Sequence, residues 1–439
     1  MKNLQNCGDC SANFDNAPQK LAGWIVNTLG PDVSGRIIRD IYGRLSFVTT
    51  EAAANQLAAH ADQTMPDLDT YIVSRAHAIA GVPQDELSEF LSEPSLAIPG
   101  HDLRLIDRRV FGDEWLTRSA ELAESPQRLV FHSMKGGVGR STGLIITAAH
   151  LASRGLNVLI IDLDLEAPGI GLTLLSSDEM PDYGVVDWFA ATAAGADSDD
   201  MVAGMATTCG LTSARAVVDV VPACGRFPLA HISKLARAYT PGAAKKEFAG
   251  HSFAQKTDTL IRKLCERRAY DVVLIDTRSG LHETSGSAIL SLGANVLLFG
   301  TDSDQSFYGL AILFDTLRES LTQEFGGDDM RGAFKMVHAK APGEARDRQK
   351  FNEHSWALWT SFLYDNNDHL EAAKRTAFTF DLEDKDAPHF PLEIIDNGTH
   401  FRINPSNVHQ LDAETYGPIF GSFLKGIEEF LGLTSTTPP

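Results

Sequence analysis

The stretch Lys135-Gly136-Gly137-Val138-Gly139-Arg140-Ser141-Thr142 constrains the fold more than any other part of this chain. It follows the apolar run Leu129-Val130-Phe131 and leads into Leu144-Ile145-Ile146-Thr147-Ala148-Ala149. An apolar strand, a glycine-rich turn and a helix-forming segment in that order make a phosphate cradle. The glycines let the backbone curl so that successive N–H groups point at one anion. The helix behind them adds its positive end, and a hydroxyl at its start, here Ser141, is placed to hold Mg²⁺.

The rest of the C-terminal part agrees with such a cradle. From Arg128 onward, apolar runs recur at Leu129–His132, Val158–Ile161, Val217–Val221, Val272–Ile275, Val296–Phe299 and Phe334–Val337, with helical stretches between them. Continuous Val/Ile/Leu runs joined by crossovers predict an α/β fold with a doubly wound, mostly parallel sheet covered on both faces. Sites in such sheets lie beyond the carboxyl ends of the strands, and two acidic motifs fall there. In Ile160-Ile161-Asp162-Leu163-Asp164 the carboxylates stand two residues apart and share a side if the chain stays extended. One can order a metal shell while the other positions a water. In Val272-Val273-Leu274-Ile275-Asp276 a buried strand delivers a single carboxylate, the Walker B arrangement.

Residues 1–127 differ in character. Arg36–Val48 alternates around Gly43 and predicts a hairpin, whereas Asp67–Ala80 and Pro83–Leu91 carry helical periodicity. This region reads as a small, mainly helical α+β adaptor or regulatory domain. Residues 128–433 read as the phosphate-binding domain and 434–439 as a disordered polar tail. Tyr416–Leu433 places Ile419, Phe420, Phe423, Leu424, Ile427 and Leu431 at helical spacing. Its polar face sets Lys425 against Glu428 and Glu429, which predicts packing on the sheet and no stable membrane anchor.

With 439 residues and a formal charge of −20, the surface offers little to nucleic acid or anionic lipid. The exception is residues 226–268, where ten Lys/Arg face three acidic residues. A solvated helix face is the simpler reading of that run, with nucleic-acid docking as the other. Five cysteines without framework spacing suit reduced thiols, and the absence of a signal-peptide core gives a cytoplasmic expectation.

A lysine ahead of the glycine pair resembles the deviant Walker A loop, KGGxGK[ST], of the MinD/ParA family of P-loop ATPases. The DLD segment is similar to that family's DxD, Glu166-Ala167-Pro168-Gly169 to a turn of its Mrp-type branch, and Val217–Gly225 to its third strand. The resemblance implies an ATP-binding, ATP-hydrolysing switch that forms an ATP-dependent homodimer and regulates a partner protein through residues 1–127. Lys135 would reach the partner's nucleotide and Asp164 would orient the water, the two catalytic candidates. Lys135, Gly136, Gly137, Val138, Gly139, Arg140, Ser141, Thr142 and Asp276 would bind ATP. Ser141, Asp162 and Asp276 would serve Mg²⁺.

The chain departs from the pattern at Arg140, which stands where the family has its phosphate-binding lysine, and at Arg278, where it usually has proline. Arg278 would bind phosphate, pair with a carboxylate across a dimer, or form a surface salt bridge. The alternatives are a nucleotide-binding module without appreciable turnover, because of Arg140, and an Mrp-type iron–sulfur carrier, which would need a paired CxxC that the sequence does not show.

Overall fold

The computed structural model describes residues 11–433 except 65, 94, 110, 118, 240–251, 323–328, 366–376, 397, 399–402 and 405. The expected tail, 434–439, and the pair Cys7/Cys10 lie outside the described residues. The chain divides into two compact units, residues 1–116 and 117–439. The second begins about ten residues before the expected boundary at 128. The lead-in is tied to it by backbone bonds from Ala120 to Leu290 (2.7 Å) and from Ala123 to Gly293 (2.8 Å).

The first unit holds strands β1 (Gly35–Arg39), β2 (Leu45–Thr50), β3 (Ile79–Val82), β4 (Leu96–Ile98) and β5 (His101–Asp107), and helices α1 (Ala17–Leu29), α2 (Glu51–Thr64) and α3 (Gln84–Ser92). Its sheet order is β3-β2-β1-β5-β4. The β1–β2 hairpin turns at Gly43, whose φ of +84° suits glycine. The helix expected over Asp67–Ala80 does not form. Ile79 and Ala80 instead begin β3, pairing in parallel with Phe47 and Val48. Leu68 and Ile72 are buried in the unit's core from a turn. Sheet pairing overrides a periodicity that burial alone would satisfy equally well.

The second unit contains β6 (Gln127–Ser133), β7 (Val158–Asp162), β8 (Thr207–Thr208), β9 (Val218–Val221), β10 (Val272–Asp276), β11 (Asn295–Gly300), β12 (Phe334–Ala341) and β13 (Leu392–Ile395). Their order is β13-β12-β11-β6-β10-β7-β9-β8, parallel throughout except for β8. Its helices are α4 (Arg140–Ser153), α5 (Ile170–Leu174), α6 (Val185–Ala194), α7 (Asp199–Ala203), α8 (His231–Ala238), α9 (Phe253–Arg267), α10 (Glu283–Leu290), α11 (Asp304–Thr322), α12 (Ala345–Phe362) and α13 (Ala413–Phe430).

This is a doubly wound α/β domain. Alternate residues of each strand serve opposite faces. Leu129, Phe131, Val337 and Ala339 join α4 and α13 in one core, while His338 turns to the other face and stacks on Phe351 of α12. Helix α13 fulfils the packing expected of the C-terminal helix, burying Tyr416, Phe420, Phe423 and Ile427. No helix among the described residues is long and apolar enough to cross a membrane.

Candidate phosphate and metal site

Strand β6 runs through the middle of the sheet, and its carboxyl end opens into the glycine loop. Gly137 and Gly139 have φ of +75° and +89°, values that a side chain would strain. Gly139 caps α4, so the helix's free N–H groups face the loop. Lys135 is exposed, and no ion pair or hydrogen bond among the described residues holds its side chain. Val138 is buried in the core beneath the loop. Gly136 lies beside the turn after β10, where an added Cβ would meet Ser279 Oγ at 3.7 Å. Thr142 follows Ser141 in the first turn of α4, half-buried.

The register of β7, β10 and β6 brings the acidic motifs under this loop, with Asp276 level with Asp162 on one side and Phe131 on the other. Ser141 Oγ donates to Asp276 Oδ2 at 2.7 Å. Arg140 Nε donates to Asp276 Oδ1, also at 2.7 Å. The Arg140 guanidinium further lies 3.6 Å from Asp164 Oδ2 and 3.5 Å from Ser133 Oγ. Arg140 is 9% exposed and Asp276 2%. The side chain is therefore turned beneath the loop, which the sequence alone does not reveal. Burial pushes the Asp276 carboxyl upward, and Arg140 and Ser141 pull it back.

The two acidic residues of the DLD segment have different surroundings. Asp162 is 0% exposed and holds the following turn. Its Oδ1 accepts from Asp164 N at 3.0 Å, and its Oδ2 from Gly169 N at 3.3 Å and Ile170 N at 3.2 Å. Burial, then the neighbouring Asp276, pushes its carboxyl up to about 8. The sequence places Asp162 with both metal and loop; in the structure both its oxygens are taken by loop amides. Asp164 accepts from Ala167 N at 3.2 Å and lies mostly buried, with Arg140 near one oxygen and Arg278 near the other.

Arg278 lies 3.4 Å from Asp164 Oδ1 and 3.5 Å from Glu166 Oε2. Glu166 also accepts from the Tyr239 hydroxyl and lies 3.4 Å from His282 Nδ1. Sequence reasoning did not find this cluster, because Tyr239 and His282 belong to no motif. The Walker B strand and its following turn are tied to the loop strand by Gly280 N donating to Ser133 O (2.9 Å) and Thr277 Oγ1 to Phe131 O (3.0 Å). Displacement of the turn at Gly280, whose φ is +87°, would thus be felt at the cradle.

A cavity of about 930 Å³ flanks the DLD turn without covering the glycine loop. Its walls include Pro168, Leu172, Leu175, Met180, Pro222 and Arg226. In the basic run, Lys234 pairs with Asp187 (2.6 Å), Lys263 with Asp199 (2.8 Å) and Arg268 with Asp219 (2.6 Å), so its described cations are largely committed within the chain. His338 is a core histidine, stacked on Phe351 with centroids 4.1 Å apart.

No protein-family model matches the chain, and no curated protein matches it. Solved structures of ParA and MinD ATPases are similar to it. The pNOB8 ParA bound to nonspecific DNA is 14% identical, covering 69% of this chain and 99% of its own, with a TM-score of 0.41. The cell division ATPase MinD of Pyrococcus furiosus is 18% identical over 69% of this chain and 99% of its own, TM-score 0.38. The septum site-determining protein MinD of Pyrococcus horikoshii, complexed with Mg-ADP, is 16% identical over 71% and 99%, TM-score 0.39.

Proposed function

We propose that the chain is a nucleotide switch of the MinD/ParA type, binding ATP in the loop Lys135–Thr142 and changing its self-association with the state of the nucleotide. The observation that carries this reading is the convergence of Ser141, Asp276 and Asp164 beneath a loop held open by Gly137 and Gly139. The loop amides and the end of α4 would bind the phosphates. Lys135, exposed and without a side-chain partner among the described residues, is available to a second subunit's nucleotide.

The residues fit a magnesium-bound triphosphate in type. A hydroxyl and a carboxylate stand side by side at the start of α4, where they would hold the ion's water shell. Bound there, the metal supplies neutralising charge to the phosphates. Asp164 orients a water, and Asp162 keeps the turn that carries Asp164 in place. Arg278, shared between Asp164 and Glu166, holds Asp164 from the other side, so that loss of the terminal phosphate would be read by both turns at once. Residues 1–116 would couple this cycle to a partner protein.

A second reading is favoured by Arg140: nucleotide binding with little turnover. A guanidinium locked on Asp276 is not the mobile ammonium that usually follows the γ-phosphate. Phosphate release by the purified protein separates the two readings. The switch itself is tested by Asp164→Ala, which should bind ATP, fail to release phosphate and sediment as a dimer. A variant that stays monomeric at saturating ATP rules out nucleotide-driven pairing.

A further inference from the structure

We propose that Arg140 is a built-in counter-ion that keeps a divalent metal off Asp276 until an anion in the loop draws the guanidinium away. The inference rests on the nucleotide reading above and specifies how its metal site is regulated.

Both oxygens of Asp276 are already engaged, Oδ1 by Arg140 Nε and Oδ2 by Ser141 Oγ. The same guanidinium reaches toward Asp164 Oδ2 and Ser133 Oγ. Arginine can address several acceptors at once because its donors are fixed in a planar fork; an ammonium presents a single point of charge. Arg140 is thus seated between the carboxylates that a metal's water shell would use.

A dication and a guanidinium cannot share Asp276 in a site this enclosed, since their repulsion is weakly screened there. A buried carboxylate stripped of its cation is equally unfavourable. The exchange must therefore be concerted, one cation replacing the other. A triphosphate supplies what moves Arg140: several anionic oxygens in a geometry suited to bidentate bonding. Arg140 begins α4 directly after Gly139, so its backbone lies at the phosphate end of the cradle while its side chain lies at the metal end. Metal and nucleotide affinities are consequently linked through this residue.

The test is a Mn²⁺ titration of the full, nucleotide-free chain, read by electron paramagnetic resonance. Wild type, Arg140→Gln and Lys425→Gln, which removes an exposed cation of α13 outside the site, are compared. The proposal expects Arg140→Gln to bind Mn²⁺ at least about tenfold tighter than wild type, and Lys425→Gln to stay within about twofold of it. Equal affinity in wild type and Arg140→Gln overturns it, as does an equal gain in Lys425→Gln, which would mean only general loss of positive charge. Arg140→Met, which keeps an apolar stem, replaces Arg140→Gln if that variant does not fold. Tight Mn²⁺ binding to nucleotide-free wild type, below about 100 µM, overturns it without any variant. Binding of a non-hydrolysable ATP analogue to wild type is measured separately. Its absence would sink the nucleotide reading, whereas the metal titrations bear on Arg140 alone.

Discussion

Asp162 and Asp164 show how two identical side chains, two positions apart, acquire different work from their surroundings. Asp162 ends β7 inside the sheet and spends both oxygens on three backbone amides. Asparagine there would turn an NH₂ toward at least one amide, leaving a buried donor unsatisfied. Asp162→Asn should therefore lower stability by about 1–3 kcal/mol in denaturant unfolding, and a neutral change would show that the amides do not depend on that carboxylate. His338 offers a second test at this scale. Burial holds its pKa down to about 4, and both ring nitrogens lack hydrogen-bond partners among the described residues. Because the folded pKa lies below the unfolded value of about 6.5, the unfolded chain takes up the proton first. Stability is present above about pH 6.5 and declines as pH falls toward 4, by about 1.4 kcal/mol per unit at full slope. His338→Leu should remove that contribution, and unfolding curves between pH 7 and 4.5 that keep the wild-type slope would contradict it.

At the scale of elements, legibility followed burial on both faces. Strands β6, β7, β10 and β11 were readable because continuous apolar runs have few other uses in a chain with crossovers. The alternation of Arg36–Val48 around Gly43 was readable for its turn chemistry. The Asp67–Ala80 segment misled because Leu68 and Ile72 are buried from an irregular turn, a placement that a helical period imitates. Strands β8 and β13 were not found; they are short edge strands of two and four residues, too brief to carry a period. The site divided in the same way. Its glycines and carboxylates stand in fixed spacings, but the inward turn of Arg140 and the Tyr239–Glu166–His282 cluster depend on tertiary packing that no local pattern encodes. Packing between elements also explains Gly184. A Cβ at this cap of α6 would lie 2.5 Å from the Cys224 carbonyl carbon and 2.7 Å from Gly225 N. Gly184→Ala should cost about 1–3 kcal/mol through overpacking against backbone that cannot yield cheaply. Wild-type stability in the alanine variant would show that the two loops separate freely.

For the molecule as a whole, the sheet order sets the chemistry. Placing β6 between β11 and β10, with β7 beyond, delivers a glycine loop, a single carboxylate and a carboxylate pair to one end of one sheet. Three stretches spread between Lys135 and Asp276 of the sequence thereby become one site. The strongly acidic chain around it leaves the loop amides, Lys135 and Arg140 as the local attraction for a polyphosphate. That this loop grips a nucleoside triphosphate is tested by equilibrium titration of the full chain with magnesium and ATP. Saturable binding of one nucleotide per chain, weakened when Gly139→Val closes the cradle, is the predicted result. No binding of either ATP or GTP by folded protein would contradict it.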